Sequence, residues 1–272
     1  MALYGFDAFS PAEINAKIET VGVAKARLQI GPMLMLSVLA GAFIGLGALY
    51  FVLVRSDPTL GFAARQVLGG AVFSLGLLMV VVAGAELFTG NNLLVMAWAA
   101  DKISTRELLR SWTVVFCGNF VGAVGLACLV LLSNHPAMNH GAVAAEYLRI
   151  ASAKTALPFI DAFFSGVLCN SLVCIAIWMA IAGRSVVDKA VAILFPISGF
   201  VAAGFEHSVA NMYMIPLAML IQATDGAGAV APLLWSGFAA NMVPVVLGNI
   251  VGGSIFVGVV FHVIYRRPQT PK

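Results

Sequence analysis

Charge is what this chain has least of. Only 10% of its 272 residues are Asp, Glu, Lys or Arg, against 61% hydrophobic, and the mean hydropathy is +0.99. A soluble domain carries about 25% charged residues, so this balance excludes an ordinary globular fold and indicates an integral membrane protein. The net charge is only +3, and no basic run offers a nucleic-acid footprint. Cysteine is scarce too. Cys117, Cys128, Cys169 and Cys174 all fall in apolar stretches, which excludes a disulfide framework and leaves them as small buried hydrophobes. The N-terminus lacks a charged region followed by an apolar core, so no cleaved signal peptide is expected. His135 and His140 have no cysteine or carboxylate to complete a metal set, and neither a metal nor a cofactor is expected.

Long apolar runs are what the chain does have. Six are long enough to span a bilayer, which takes about 20 residues: 28–54, 67–98, 111–132, 159–182, 190–222 and 236–265. Eleven of the fifteen Lys and Arg residues fall in the N-terminal segment, the second and fourth connections and the tail. The positive-inside rule then puts both termini of this multi-pass chain in the cytoplasm. Residues 1–27 form a cytoplasmic segment whose Ser10-Pro11-Ala12-Glu13 reads as a capping box. Ile14, Ile18 and Val21 share one face there, giving an amphipathic helix at the interface. Residues 28–265 form the six-span domain and 266–272 a cytoplasmic tail. Trp98, Trp112 and Trp235 lie near span ends, as interfacial anchors do.

Two of the runs are interrupted alike, 120 residues apart. Gly84-Ala85-Glu86-Leu87-Phe88-Thr89-Gly90-Asn91 matches Gly204-Phe205-Glu206-His207-Ser208-Val209-Ala210-Asn211 in its glycine, glutamate and asparagine. An ionised group at membrane depth costs roughly 2.5–3.5 kcal/mol on insertion scales, so a matched pair implies a shared role. Paired interruptions point to a transport site. Gly118-Asn119-Phe120-Val121-Gly122 is echoed by Gly248-Asn249-Ile250-Val251-Gly252. Three spans per half make an inverted repeat, 28–132 and 159–265, with its second and fifth helices broken, a plan shared with aquaporins. Gly41/Gly45, Gly118/Gly122 and Gly248/Gly252 are spaced for close helix packing. Pro244 is placed to kink the sixth span, and Pro216 to open the half-helix after the second break.

Broken backbone in a membrane must be buried in protein or line a cavity. Glycine supplies the turn, and Thr89, Asn91, Ser208 and Asn211 can bond freed backbone groups. Glu86 and Glu206 are expected to accept from amides at the start of each half-helix. His207 is the exception, because the first break has Leu87 there. A histidine changes charge most readily near neutral pH, which makes His207 the candidate functional residue.

These residues carry a resemblance. The two break motifs, the two Gly-Asn-x-x-Gly pairs and Ala153-Lys154-Thr155 resemble the formate/nitrite transporter family over nearly the whole chain. The resemblance implies a homopentamer with one pore per protomer, carrying a small anion such as formate or nitrite, and no enzyme activity. It implies His207 at the pore centre between two hydrophobic constrictions. Leu77, Leu87, Phe88 and Thr89 then fall on the cytoplasmic side, and Phe73, Val173 and Phe200 on the periplasmic side. Asn170 becomes a polar contact near the histidine, and Lys154 a vestibule charge. A bare anion loses its hydration in an apolar constriction, so protonation near His207 would let it cross as the neutral acid.

Two other classes fit less of the sequence. Aquaporin-type channels carry paired Asn-Pro-Ala turns, which both breaks lack. An intramembrane serine protease could pair Ser165 or Ser198 with His207, but catalysis leaves the repeat unexplained. Within the family, Phe73-Ser74-Leu75-Gly76-Leu77 and Gly22-Val23-Ala24-Lys25-Ala26 favour formate, while residues 151–158 look as much like nitrite transporters. Formate is the first choice, ahead of nitrite or hydrosulfide.

Overall fold

The computed structural model describes residues 8–225 and 231–266, so most of the expected tail, with Arg267 and Lys272, lies outside the described residues. Within them the order is α1 (Pro11–Ala26), α2 (Ile30–Arg55), α3 (Phe62–Ala83), a 3-10 turn (Gly90–Leu94) leading into α4 (Val95–Ala99), and α5 (Thr105–Leu132). A second 3-10 turn (His135–Ala137) precedes α6 (Ala142–Thr155), α7 (Phe159–Ala182), α8 (Val186–Ala202) and α9 (Ser208–Asp225). The chain closes with α10 (Trp235–Ile250), a π-helical stretch (Val251–Val259) and α11 (Val260–Tyr265). Five helical stretches are long and apolar enough to cross a membrane: Ile30–Arg55, Phe62–Ala83, Thr105–Leu132, Phe159–Ala182 and Trp235–Tyr265. Side chains such as Met35, Leu129, Phe164, Phe195 and Ile264 stay exposed on their outer faces, which suits lipid or a neighbouring subunit rather than water. The protein is an integral membrane protein.

Close packing of α2 on α5, and of α7 on α10, follows from the glycines. A Cβ on Gly122 would overlap the Val38 carbonyl, and one on Gly41 the Asn119 carbonyl. On the other side Gly248 and Gly252 lie against the carbonyls of Phe163 and Val167. Only hydrogen at these positions lets the backbones approach.

The capping box of α1 forms as expected, with the Ser10 N–H donating to Glu13 Oε2 at 2.8 Å and the Glu13 N–H to Ser10 Oγ at 3.4 Å. The helix buries its apolar residues in the protein itself. Ile14 and Ile18 are buried against Leu93, Met96, Trp178 and Val257, so α1 packs on the bundle. Val21 leaves that face and is 44% exposed. The polar Glu19 is buried instead, because Asn15, Lys102 and His262 bond its carboxylate at 2.7, 2.6 and 3.2 Å. Two further readings change. Pro216 sits inside α9, which already begins at Ser208. Trp112 turns inward, its indole N–H donating to the Asn91 carbonyl at 2.8 Å, while Trp98 and Trp235 remain exposed.

Candidate functional site

Helix α3 stops where Gly84 takes φ 71°, and α8 stops before Gly204 at φ 77°. An L side chain resists this left-handed conformation, so glycine is required at both turns. After them the segments 84–89 and 203–207 run without regular helix. Their backbone groups are met by two buried asparagines. Asn119 Oδ1 accepts from the Phe88 N–H at 2.8 Å, and its Nδ2 donates to the Glu86 carbonyl at 2.9 Å. Asn249 Oδ1 accepts from the Ser208 N–H at 3.0 Å, and its Nδ2 donates to the Glu206 carbonyl at 3.0 Å. Sequence reading took the Gly-Asn-x-x-Gly pairs for packing glycines and missed these side chains. The signal was present in the asparagine that each motif repeats.

The glutamates bond elsewhere than expected. Neither carboxylate caps a half-helix amide. Glu86 pairs with Lys25 at 2.9 Å and accepts from Asn91 Nδ2 at 2.7 Å. Glu206 pairs with Lys154 at 2.6 Å and accepts from Asn211 Nδ2 at 2.6 Å. A buried carboxylate needs an opposite charge or hydrogen-bond donors beside it, and here a lysine and an asparagine supply both. Asn241 completes the second set, lying 2.7 Å from Asn211 Nδ2, where Ser111 stands 3.5 Å from Asn91 Nδ2 in the first. Lys25 was unmarked in the sequence because it lies on α1, outside the repeat.

Three cavities follow one another through the bundle. One of about 270 Å³ is lined by Lys154, Glu206, Asn211, Phe73, Phe200 and His207, among others. One of about 250 Å³ is lined by Lys25, Asn91, Gly84, Val80 and Leu87. Between them is a chamber of about 10 Å³ walled by Ile44, Phe73, Leu77, Leu87, Val173, Ile197, Phe200 and His207. That volume holds about one water molecule. Leu87 separates the chamber from one outer cavity, and Phe73, Phe200 and His207 separate it from the other. Ile44 and Ile197 were not singled out in the sequence, where they look like ordinary core.

His207 is positioned from both sides of the molecule. Its Nδ1 accepts from the Ala210 N–H at 3.1 Å, and its Nε2 lies 3.0 Å from Thr89 Oγ1 on the other break. With Nδ1 occupied as acceptor, a neutral ring carries its proton on Nε2, facing Thr89. The ring stacks on Phe200 at 5.8 Å and 20°, and Phe200 meets Phe73 edge-on at 5.8 Å. Asn170 makes no hydrogen bond to the histidine among the described residues. Its Nδ2 lies 3.2 Å from the Thr89 carbonyl, 3.0 Å from Asn92 Oδ1 and 2.7 Å from the Asn249 carbonyl, so it ties the two breaks together. Phe88 faces away, its ring packed edge-on against Phe116 at 5.1 Å and Trp112 at 6.5 Å. No group of three metal-ligating side chains occurs among the described residues.

Apolar helices enclosing a line of cavities, with a paired cation and carboxylate at each end, define a channel or transporter. The family model described as formate/nitrite transporter matches residues 12–263. This chain belongs to that family. It is 36% identical to the formate channel FocA of Escherichia coli strain K12, over 96% of each chain. A solved structure titled "Pentameric formate channel with formate bound" superposes with a TM-score of 0.81 at 36% identity, covering 88% of this chain and 98% of that one. An "FNT family ion channel" structure superposes with a TM-score of 0.83 at 32% identity, covering 94% and 99%.

Proposed function

We propose that this protein passes small monovalent weak-acid anions across a bacterial inner membrane, with formate as the first substrate and His207 at the centre of the path. The observation that carries the reading is the His207–Thr89 pair, set at the wall of an apolar chamber between two Lys–Glu–Asn mouths. Likeness to a formate channel and to a pentameric formate-bound structure supports the substrate and a homopentamer with one pore per protomer. The matched Lys25–Glu86–Asn91 and Lys154–Glu206–Asn211 sets support six spans in two inverted repeats, 28–132 and 159–265, with the second and fifth spans broken. The charge bias of the connections supports both termini in the cytoplasm, so that Lys25 guards the inner mouth and Lys154 the outer.

The chamber decides what form of the substrate crosses. Apolar walls offer an ion almost nothing in exchange for its water, and desolvation favours the neutral acid of any carboxylate. An anion held near Lys154 accepts a proton drawn from vestibule water, directly or by way of His207 and Thr89. The acid then passes Phe73, Phe200 and Leu87 uncharged and gives up its proton in the far cavity. One proton thus moves with one anion. Formate flux in proteoliposomes should rise as pH falls, and His207→Phe should cut the flux and flatten that dependence. Unchanged flux and pH profile in His207→Phe would end the protonation reading. Nitrite and hydrosulfide obey the same physics, and flux of each measured beside formate orders the three.

A further inference from the structure

The two mouths match in their Lys–Glu–Asn sets but not in their surroundings. Beyond Lys154, the larger outer cavity is also lined by Arg55, Gln66 and Arg149. Behind those arginines stands Glu146, buried and bonded by both. Arg149 grips it with a fork, Nε to Oε2 and Nη2 to Oε1 at 2.7 Å each, and Arg55 Nε reaches Oε1 at 3.1 Å. Gln66 bonds Arg55 and is itself fixed to the Ala202 carbonyl at 2.7 Å, so Arg55 is braced from α3 and α6 together. Arg149 Nη1 and Arg55 Nη2 have no bonded partner among the described residues.

The charge balance turns this into a site. Lys154 is spent on Glu206 at 2.6 Å, and that pair presents no net charge. Arg55 and Arg149 share a single carboxylate, which leaves this mouth an excess of one positive charge on two guanidinium groups. At the opposite mouth Lys25 is, among the described residues, the one charged side chain lining the cavity, and Glu86 balances it; Lys17, Arg184 and Lys189 line a shallower cavity that adjoins it at Val21 and Ile181. A guanidinium with free N–H groups suits a planar oxyanion or carboxylate better than an ammonium does. An excess charge at a narrow mouth also raises the local anion concentration.

We propose that Arg55 and Arg149, held by Glu146, form a recruiting subsite for small oxyanions and carboxylates ahead of Lys154. The inference rests on the transport reading above, since it assigns the first stop on that path.

The test uses purified full-length protein and formate as the probe. Line broadening of carbon-13 formate reports binding in detergent, and proteoliposome flux against formate concentration reports transport. Arg149→Gln should raise the half-saturating formate concentration about fivefold at low ionic strength, the scale of one charge at contact in water. The difference should vanish in about 1 M salt, where screening acts within a few ångströms. Glu146→Gln should shift half-saturation the opposite way. A purely structural brace predicts something else: both variants lose maximal flux, half-saturation stays put, and salt changes nothing. That result overturns the proposal. If Arg149→Gln folds poorly, Arg149→Lys keeps the charge without the fork and should show the same salt-dependent capture, more weakly. Should wild-type liposomes carry no formate, the transport reading falls. The broadening still decides the subsite: lost in Arg149→Gln it stands, undiminished it fails.

Discussion

Replacing Lys154 with methionine should destabilise the protein through Glu206 rather than through lost packing. The Lys154 ammonium lies 2.6 Å from Glu206, and the two side chains are 13% and 4% exposed. Two unit charges about 4 Å apart attract by about 4 kcal/mol at an effective dielectric of about 20. Removing one partner of such a buried pair leaves the other uncompensated and typically costs about 3–5 kcal/mol. Glu206 would keep amide bonds from Asn211 at 2.6 Å and Asn241 at 3.3 Å, which places the loss toward the lower end of that range. Adding Glu206→Gln removes the stranded charge and should restore most of the stability. At the other mouth the same change should cost less, because Lys25 is 28% exposed and water can enter as its charge leaves. Thermal unfolding of the detergent-solubilised protein, followed by tryptophan fluorescence, ranks the variants. A Lys154→Met/Glu206→Gln protein no more stable than Lys154→Met alone would refute the electrostatic argument.

Other consequences can be checked singly. Gly122→Val should abolish the folded protein, because a Cβ there runs into the Val38 backbone, whereas Gly125→Ala in the same helix meets nothing within 4 Å and should express normally. Thr89→Val keeps the shape and deletes the hydroxyl 3.0 Å from His207 Nε2. It should cost about 1–3 kcal/mol as an unsatisfied buried donor and lower formate flux without changing capture at either mouth. The Ser10 hydrogen bonds hold the Glu13 carboxyl below the ordinary glutamate value. A lowered carboxylate stabilises at pH above its unfolded value and loses that contribution as pH falls through the folded one. Protection of the first-turn amides of α1, taken relative to their intrinsic exchange rates, should therefore fall only in acid, and Ser10→Ala should lower it at neutral pH as well.

What could be read from the sequence was whatever repeats or interrupts. The apolar runs located the long helices because lipid demands both length and hydrophobicity. Glycines at 84 and 204 announced a turn that few other residues can make. Partners across space were harder. Lys25 and Lys154 each salt-bridge a break glutamate, yet they sit 61 and 52 residues away from it in sequence, and nothing local to either marks the bond. Asn119 and Asn249 were visible only as companions of packing glycines. Amphipathic periodicity marked Ile14 and Ile18 of α1 for burial but missed Glu19 and misplaced Val21, and it cannot name the neighbour, since an apolar stripe fits a helix bundle as well as a lipid surface. Phe88, a buried aromatic between Leu87 and Thr89, is oriented by ring packing against α5 that no spacing encodes.

The departure from symmetry is itself paired. At matched offsets, Leu87 stands opposite His207, and Val209 stands opposite Thr89. Each break therefore contributes one polar and one apolar member, and the polar two meet at 3.0 Å across the molecule. Two identical halves could not build this. With both members polar in each half, two imidazoles would compete for one chamber of about 10 Å³, and protonating either would repel the second. With both apolar, the chamber would offer a crossing acid no hydrogen-bond partner. The breaks can share their glycine, glutamate and asparagine because backbone satisfaction is the same problem in either half. A single polar pair in an apolar chamber is a different problem. It is met only when one half gives up its histidine and the other its threonine.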